Sequence, residues 1–162
     1  MSARPASQIR VFLSYADKDA GVAEDLWGRL AEALGPSRSY VWDLWAFRDQ
    51  LLVGDDFDER IQSAISVSDL GLFAISSAFL NSDYIREREL PRFLSPGTGK
   101  RIAPVLLKPL SKDADLRGLS GRQIQGFHDP FSAAGRPAQR DLWAIRLADE
   151  LHRVAEAYGL GR

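Results

Sequence analysis

The sequence predicts a doubly wound α/β domain: five parallel strands in the order 2-1-3-4-5, with helices packed on both faces. Three observations carry that expectation. Short apolar runs alternate with longer stretches of helical periodicity along the chain. One run, LGLFAIS at 70–76, is apolar without interruption, as a strand covered on both faces must be. The 162 residues suffice for five such units in one domain, and are too few for two domains of ordinary size.

Residues 1–8 are small and polar and read as a flexible arm, so the single domain is expected over 9–160. IRVFLSY, 9–15, is rich in β-formers and closes at Asp17 and Asp19, marking the first strand. From Asp19 to Leu34 the apolar residues Val22, Leu26, Leu30 and Leu34 recur at every fourth position. That is one face of an amphipathic helix, which Gly35-Pro36 stops. SYVWDL, 39–44, is the second strand; the loop AFRDQLLVGDD leads to a helix carrying Phe57, Ile61, Ala64 and Ile65. LGLFAIS is the third strand, and Ser82 is placed to cap a helix running from Asp83. RIAPVLL, 101–107, is the fourth, although Pro104 suits a central strand poorly. After a polar, irregular stretch at 108–121, RQIQGF (122–127) makes a short fifth strand. A last helix over 138–158 puts Trp143, Leu147, Leu151, Val154 and Tyr158 on one stripe. There is no internal repeat or low-complexity tract.

Strands alternating with helices imply right-handed crossovers, and five units give the flavodoxin-like order. Ligands of such sheets sit beyond the carboxyl ends of the strands, where the order reverses, here between strands one and three. Ser14, Tyr15 and Asp17 would line one side of that crevice. Ser76, Ser77 and the helix start at Ser82 would line the other.

Composition excludes several classes. Hydrophobic residues make up 45% and charged residues 27%, the balance of a globular chain rather than a disordered one. The 21 basic and 22 acidic residues leave a net charge of −1, so no basic excess points to nucleic acid or to an anionic membrane. Without cysteine there are no disulfides, thiolate metal sites or Cys nucleophile. MSARPASQIR lacks the apolar core of a signal peptide, and no run approaches the ~20 apolar residues of a membrane helix, so a cytoplasmic location is expected.

The chemistry of common nucleotide and hydrolase sites is missing as well. There is no GxGxxG after the first strand, no GxxxxGK[ST] and no GxSxG. His152 reads as a surface residue of the last helix, whereas His128 follows the fifth strand at the carboxyl edge of the sheet. HDP at 128–130 is too sparse for a metal. A phosphoacceptor receiver shares this topology but needs an aspartate where the third strand ends, and here stand Ile75, Ser76 and Ser77.

Three local patterns then carry a resemblance. VFLSYADKD (11–19) is a buried strand ending in Ser-aromatic followed by acidic residues. RDQLLVGDDFDERIQSAISVSD (48–69) has Arg-Asp, a Gly, an aromatic opening a helix, then Ile and Ala-Ile before Ser. LFAISSAFLNSDYIREREL (72–90) ends a strand in Ser and runs through an aromatic-Leu-x-Ser turn to a helix bearing Glu-Leu. Together, in this order and at this spacing, they resemble the boxes of the Toll/interleukin-1 receptor (TIR) domain, the second being its BB loop. The last third matches only in its strand–helix rhythm.

The resemblance implies the bacterial-type, NAD-cleaving branch, self-assembly through TIR–TIR contacts, and a role in immune or anti-phage defence, with a fused or separate sensor as trigger. NAD is then substrate, with no cofactor or metal. Registering on Ser82 and on the Glu-Leu pair puts the family's catalytic glutamate at Glu89, with Glu87 as competitor and Pro91 bending or ending the helix nearby. A carboxylate there would stabilise the oxocarbenium-like ribosyl centre left as nicotinamide departs, and the cationic leaving group needs no strong acid. Many enzymatic members have Trp three residues after the turn serine, where this chain has Ile85, with Tyr84 just before it as the substitute aromatic surface. Substrate contacts are expected from Ser14, Tyr15, Asp17, Arg48, Ser76, Ser82 and Tyr84. Tyr15 either stacks on a ring or covers the core, and Asp17 either caps the first helix or meets ligand. Arg48, Asp49, Leu51, Leu52, Gly54 and Asp55 form the expected assembly loop. Trp42 and Trp45 differ in strand parity, so one is expected to face solvent or a partner. The alternative function is a non-catalytic adaptor that only joins other TIR domains.

Overall fold

The computed structural model describes residues 7–46 and 56–161. Its centre is a parallel sheet of four strands, β1 (Ser7–Ser14), β2 (Tyr40–Ala46), β3 (Leu70–Ile75) and β4 (Arg101–Leu106), in the order β2-β1-β3-β4. The helices are α1 (Ala20–Leu34), α2 (Phe57–Val67), the single turn α3 (Ser77–Leu80), α4 (Leu90–Leu94) and α5 (Pro137–Tyr158). A 3-10 turn, Asp17–Asp19, leads into α1, and a π turn, Ile85–Glu89, leads into α4.

Strand periodicity sorts the core into two halves. Ile9, Val11 and Leu13 of β1 and Leu70, Leu72 and Ala74 of β3 point to one face and pack with α1 and α5. Phe12 of β1 and Phe73 and Ile75 of β3 point to the other and pack with α2 and the helix over 83–94. Each fully buried side chain of this size contributes about 1.5–3 kcal/mol relative to exposure. The Phe12, Phe73 and Phe93 rings meet with centroids 5.2 to 5.9 Å apart. Gly71 makes room for them, since a Cβ there would lie 2.7 Å from the Phe73 and Phe93 rings.

The expected fifth strand is not formed. Residues 122–127 contribute one parallel bridge, Val105↔Gln125, beside β4. The Gln125 N–H donates to Pro104 O (3.0 Å) and the Leu106 N–H to Gln125 O (2.8 Å), so Pro104 faces this outer edge, where its ring offers no donor. On either side the backbone turns away: Arg122 N–H bonds back to Leu119 O, and Gly126 adopts φ 77. A Cβ at Gly126 would come 2.5 Å from the Trp143 ring, which fixes the close approach of α5. Pro104 thus sits on the side of β4 least in need of its missing N–H.

Three smaller expectations also change. Trp42 and Trp45 do point to opposite faces, but neither is turned wholly to solvent. Trp42 packs edge-on against His152 (5.2 Å) and Trp45 stacks on Phe12 (5.6 Å), both half-buried because β2 is an edge strand covered from each side. His152 is correspondingly half-buried rather than freely exposed: its Nδ1 donates to Ala148 O and its Nε2 lies 2.9 Å from Ser37 Oγ. On α5 the buried stripe runs through Trp143, Ala144, Leu147, Ala148, Leu151 and Ala155, whereas Tyr158 is half-exposed under the Arg101 guanidinium.

Candidate active site

The carboxyl ends of β1 and β3 are where polar side chains enter the core. Parity decides which way each points. Ser14, in phase with Phe12, faces the α2 side and is buried. Its hydroxyl donates to Glu89 Oε2 at 3.1 Å, across 75 residues of chain. Glu89 is only 2% exposed. Among the described residues it has no ion-pair partner, and Ser14 is its one hydrogen-bonding neighbour. Burial without a counter-charge penalises the carboxylate form and pushes its pKa up to about 8, with the Ser14 bond pulling the other way. Glu87 is exposed, 4.0 Å from Arg86. Of the two glutamates in REREL, only Glu89 turns inward.

Local sequence explains how Glu89 gets there. Ser82 Oγ accepts from the Ile85 N–H (3.3 Å), the expected N-cap at the head of the helix over 83–94. Ile85, Glu89, Leu90 and Phe93 form its buried stripe, so a glutamate occupies a core position between apolar neighbours. Pro91 lacks an N–H and its ring crowds the carbonyl one turn earlier. The turn before it widens, and Leu90 N–H bonds to Ile85 O, five residues back.

The outer side of this helix is fastened to α2. Tyr84 Oη donates to Asp58 Oδ1 (2.8 Å), and the Arg88 guanidinium grips both Asp58 oxygens, at 2.5 and 3.3 Å. Gln62 Nε2 donates to Arg88 O at 2.9 Å, while Arg92 reaches both Gln62 Oε1 and Ser66 Oγ. Asp58, Gln62 and Ser66 are one stripe of α2 at i, i+4, i+8, facing Tyr84, Arg88 and Arg92. Arg88, then Tyr84, hold the Asp58 carboxyl below its ordinary range. Burial first, and then Asp58, raises the Tyr84 phenol. Phe57, half-exposed at the start of α2, meets the Tyr84 ring edge-on at 5.5 Å.

A second buried carboxylate lies at the same end of the sheet. Asp19, 2% exposed, accepts from Ser76 Oγ and pairs with Lys108 Nζ at 2.6 Å, just beyond β4. Ser76 also caps α3 by accepting from the Phe79 N–H at 3.0 Å. Its hydroxyl is therefore committed to the fold on both counts. Sequence reasoning did not single out Asp19 or Lys108. The signal was a lysine directly after an apolar strand, at the edge where ligands and partners gather.

The remaining expected residues separate as follows. Tyr15 is buried on the opposite face, against Trp27 (6.5 Å) and 3.4 Å from Glu24, so it covers the core. Asp17 is exposed in the 3-10 turn, and the residue at the N-cap of α1 is Asp19. Ser77 and His128 are exposed. Arg48, Asp49, Leu51, Leu52, Gly54 and Asp55 lie outside the described residues. Among the described residues no group of His, Cys, Asp and Glu is arranged to hold a metal ion, and no helix is long and apolar enough to cross a membrane.

A family model described as the TIR domain matches residues 11–140. The chain belongs to the TIR family. The match runs from within β1 into the first turn of α5. It thus takes in β4 and the stretch beyond it, where the local sequence patterns of the TIR domain are absent. No curated protein is matched by the sequence. TIR domains serve in signalling and, in some members, cleave NAD, so the family fixes the class of function and leaves the activity of this TIR domain to its site.

Proposed function

We propose that this TIR domain is an NAD glycohydrolase with Glu89 as its catalytic carboxylate, active on self-assembly in a cytoplasmic, bacterial-type defence pathway under a fused or separate sensor. One observation carries the reading. A glutamate with no counter-ion among the described residues is held by Ser14 at the switch point of the sheet, where ligands of this fold bind. A stable fold gains nothing from such a group, and strongly perturbed carboxyls cluster where chemistry is done.

The bond between ribose C1′ and the nicotinamide nitrogen breaks with its electron pair leaving on nicotinamide, which departs neutral. The positive charge stays on the ribosyl ring, opposite the Glu89 carboxylate. Water attacks C1′ and releases a proton to give ADP-ribose, or the adenine ring attacks to give the cyclic isomer. Tyr84 and Phe57 supply the aromatic surface that Ile85 does not. Ser14 orients the carboxylate, and Arg48 meets the pyrophosphate.

The test is nicotinamide release from NAD by concentrated protein. Wild type is expected to release it, and Glu89→Ala to lose about 10²–10³-fold. Equal release by both would remove Glu89 from the mechanism. The burial of Glu89 favours a second reading, a non-catalytic TIR–TIR adaptor; silence of the wild type even when assembled would decide for it.

A further inference from the structure

Glu89 as it stands is sealed: 2% exposed, its carboxyl turned to Ser14 and away from solvent. A carboxylate that must touch a ribosyl centre has to leave that position, and the structure shows what keeps it there. Three residues spaced four apart on α2 engage three spaced four apart on the next helix, before, within and after the π turn. Asp58 is the hub, since it takes both the Tyr84 hydroxyl and the Arg88 guanidinium.

A π turn carries one residue more than an α turn. Closing it re-aims the side chains on one side relative to the other by about 100°, the angle per residue of an α-helix. Because α2 is a regular helix, its stripe acts as a fixed ruler. Asp58 binds Tyr84 just before the π turn and Arg88 within it, so one carboxylate clamps the entry to the turn to α2 while Glu89 points inward.

We propose that Asp58 is a positioning residue: through Tyr84 and Arg88 it fixes the π register that buries Glu89 in the resting protein, and its release lets Glu89 turn toward substrate. The proposal rests on the reading of Glu89 as the reacting carboxylate. It adds to that reading a resting state governed from α2, the helix that directly follows the expected assembly loop.

The test uses the full chain in three forms: wild type, Asp58→Ala and Arg88→Ala. Two quantities are read, the titration of the Glu89 side-chain carboxyl by carbon-13 NMR and nicotinamide release by dilute protein. In wild type the carboxyl is expected to titrate near 8, since its burial pushes it up. Both variants are expected to bring the midpoint down toward the ordinary carboxylate range and to raise release about tenfold, as a shifted two-state equilibrium would. The pair separates positioning from bare charge. Removing an anion and removing a cation shift a nearby carboxyl in opposite directions, whereas release of the same contact shifts it in one. Midpoints that stay put, or that move oppositely, overturn the proposal. If the midpoints fall together but no form cleaves NAD, concentrated or dilute, the positioning stands and the NAD reading fails. If wild type cleaves NAD and the midpoints do not move, the NAD reading stands and the positioning role is overturned.

Discussion

Two serines end neighbouring strands of this sheet, and each donates to a buried carboxylate. Ser76 serves Asp19, and Ser14 serves Glu89. The two carboxylates are equally hidden, yet Asp19 has the Lys108 ammonium at 2.6 Å and Glu89 has no cation among the described residues. Burying a charge in a low dielectric is penalised by several kcal/mol unless a partner offsets it. Asp19 meets that condition and ties β1, β3 and the end of β4 together. Glu89 does not, and its carboxyl stays protonated well past the usual range instead. Similar geometry therefore serves opposite ends: one site is a strut, the other an uncompensated group that a purely structural helix would have filled with leucine.

Substitutions at the two sites should consequently differ in sign. Asp19→Ala leaves Lys108 and Ser76 without their partner and is expected to lower unfolding free energy by about 2–4 kcal/mol in urea. A loss below ~0.5 kcal/mol would show that the pair is not a strut. Glu89→Gln keeps an acceptor for Ser14 and removes the titration, so it should stabilise. The folded-state pKa of Glu89 is raised, which means the folded state binds more protons than the unfolded one between the ordinary value, 4.5, and about 8. Wild-type stability therefore declines across that window and levels off above it. The gain from Glu89→Gln is expected to be absent at pH 4 and on the order of a few kcal/mol by pH 9. Thermal melts at both pH values would contradict this if the difference were constant. Ser14→Ala has the smallest expected effect, about 1 kcal/mol, and should move the Glu89 midpoint further up, because the Ser14 bond is what lowers it. A downward move would mean that solvent had reached the carboxyl.

How far the sequence carried the structure depends on the range of the interaction. α1, α2 and α5 were legible because each repeats one helical period over its length, β1 and β3 because their apolar, β-forming runs are short and closed by polar residues, and Ser82 because capping is decided within a turn. The fifth strand was not: RQIQGF has the composition of a strand, but whether it pairs depends on Pro104 and on turns at Leu119 and Gly126. The inward course of Glu89 could be read from its place between Ile85 and Phe93. Its want of a counter-ion among the described residues could not, since that requires knowing the neighbours that other elements bring to it. Of the two roles open to Tyr15, the structure shows core cover: a period of two sends it to the opposite face from Ser14, against Trp27. Asp58 went unnoticed because its partners lie 26 and 30 residues away.

The π turn at Ile85–Glu89 has a consequence for comparing this chain with others. A helix with one extra residue in a single turn is what a one-residue insertion leaves behind. An alignment that slides without a gap through this segment will match residues on one side of the turn and miss by one on the other. The Glu-Leu pair lies where that slip falls. Relatives with a regular helix here should be aligned by their inward-facing stripe, with Ile85 and Phe93 as the fixed points, and the residue between those points is the one to compare with Glu89.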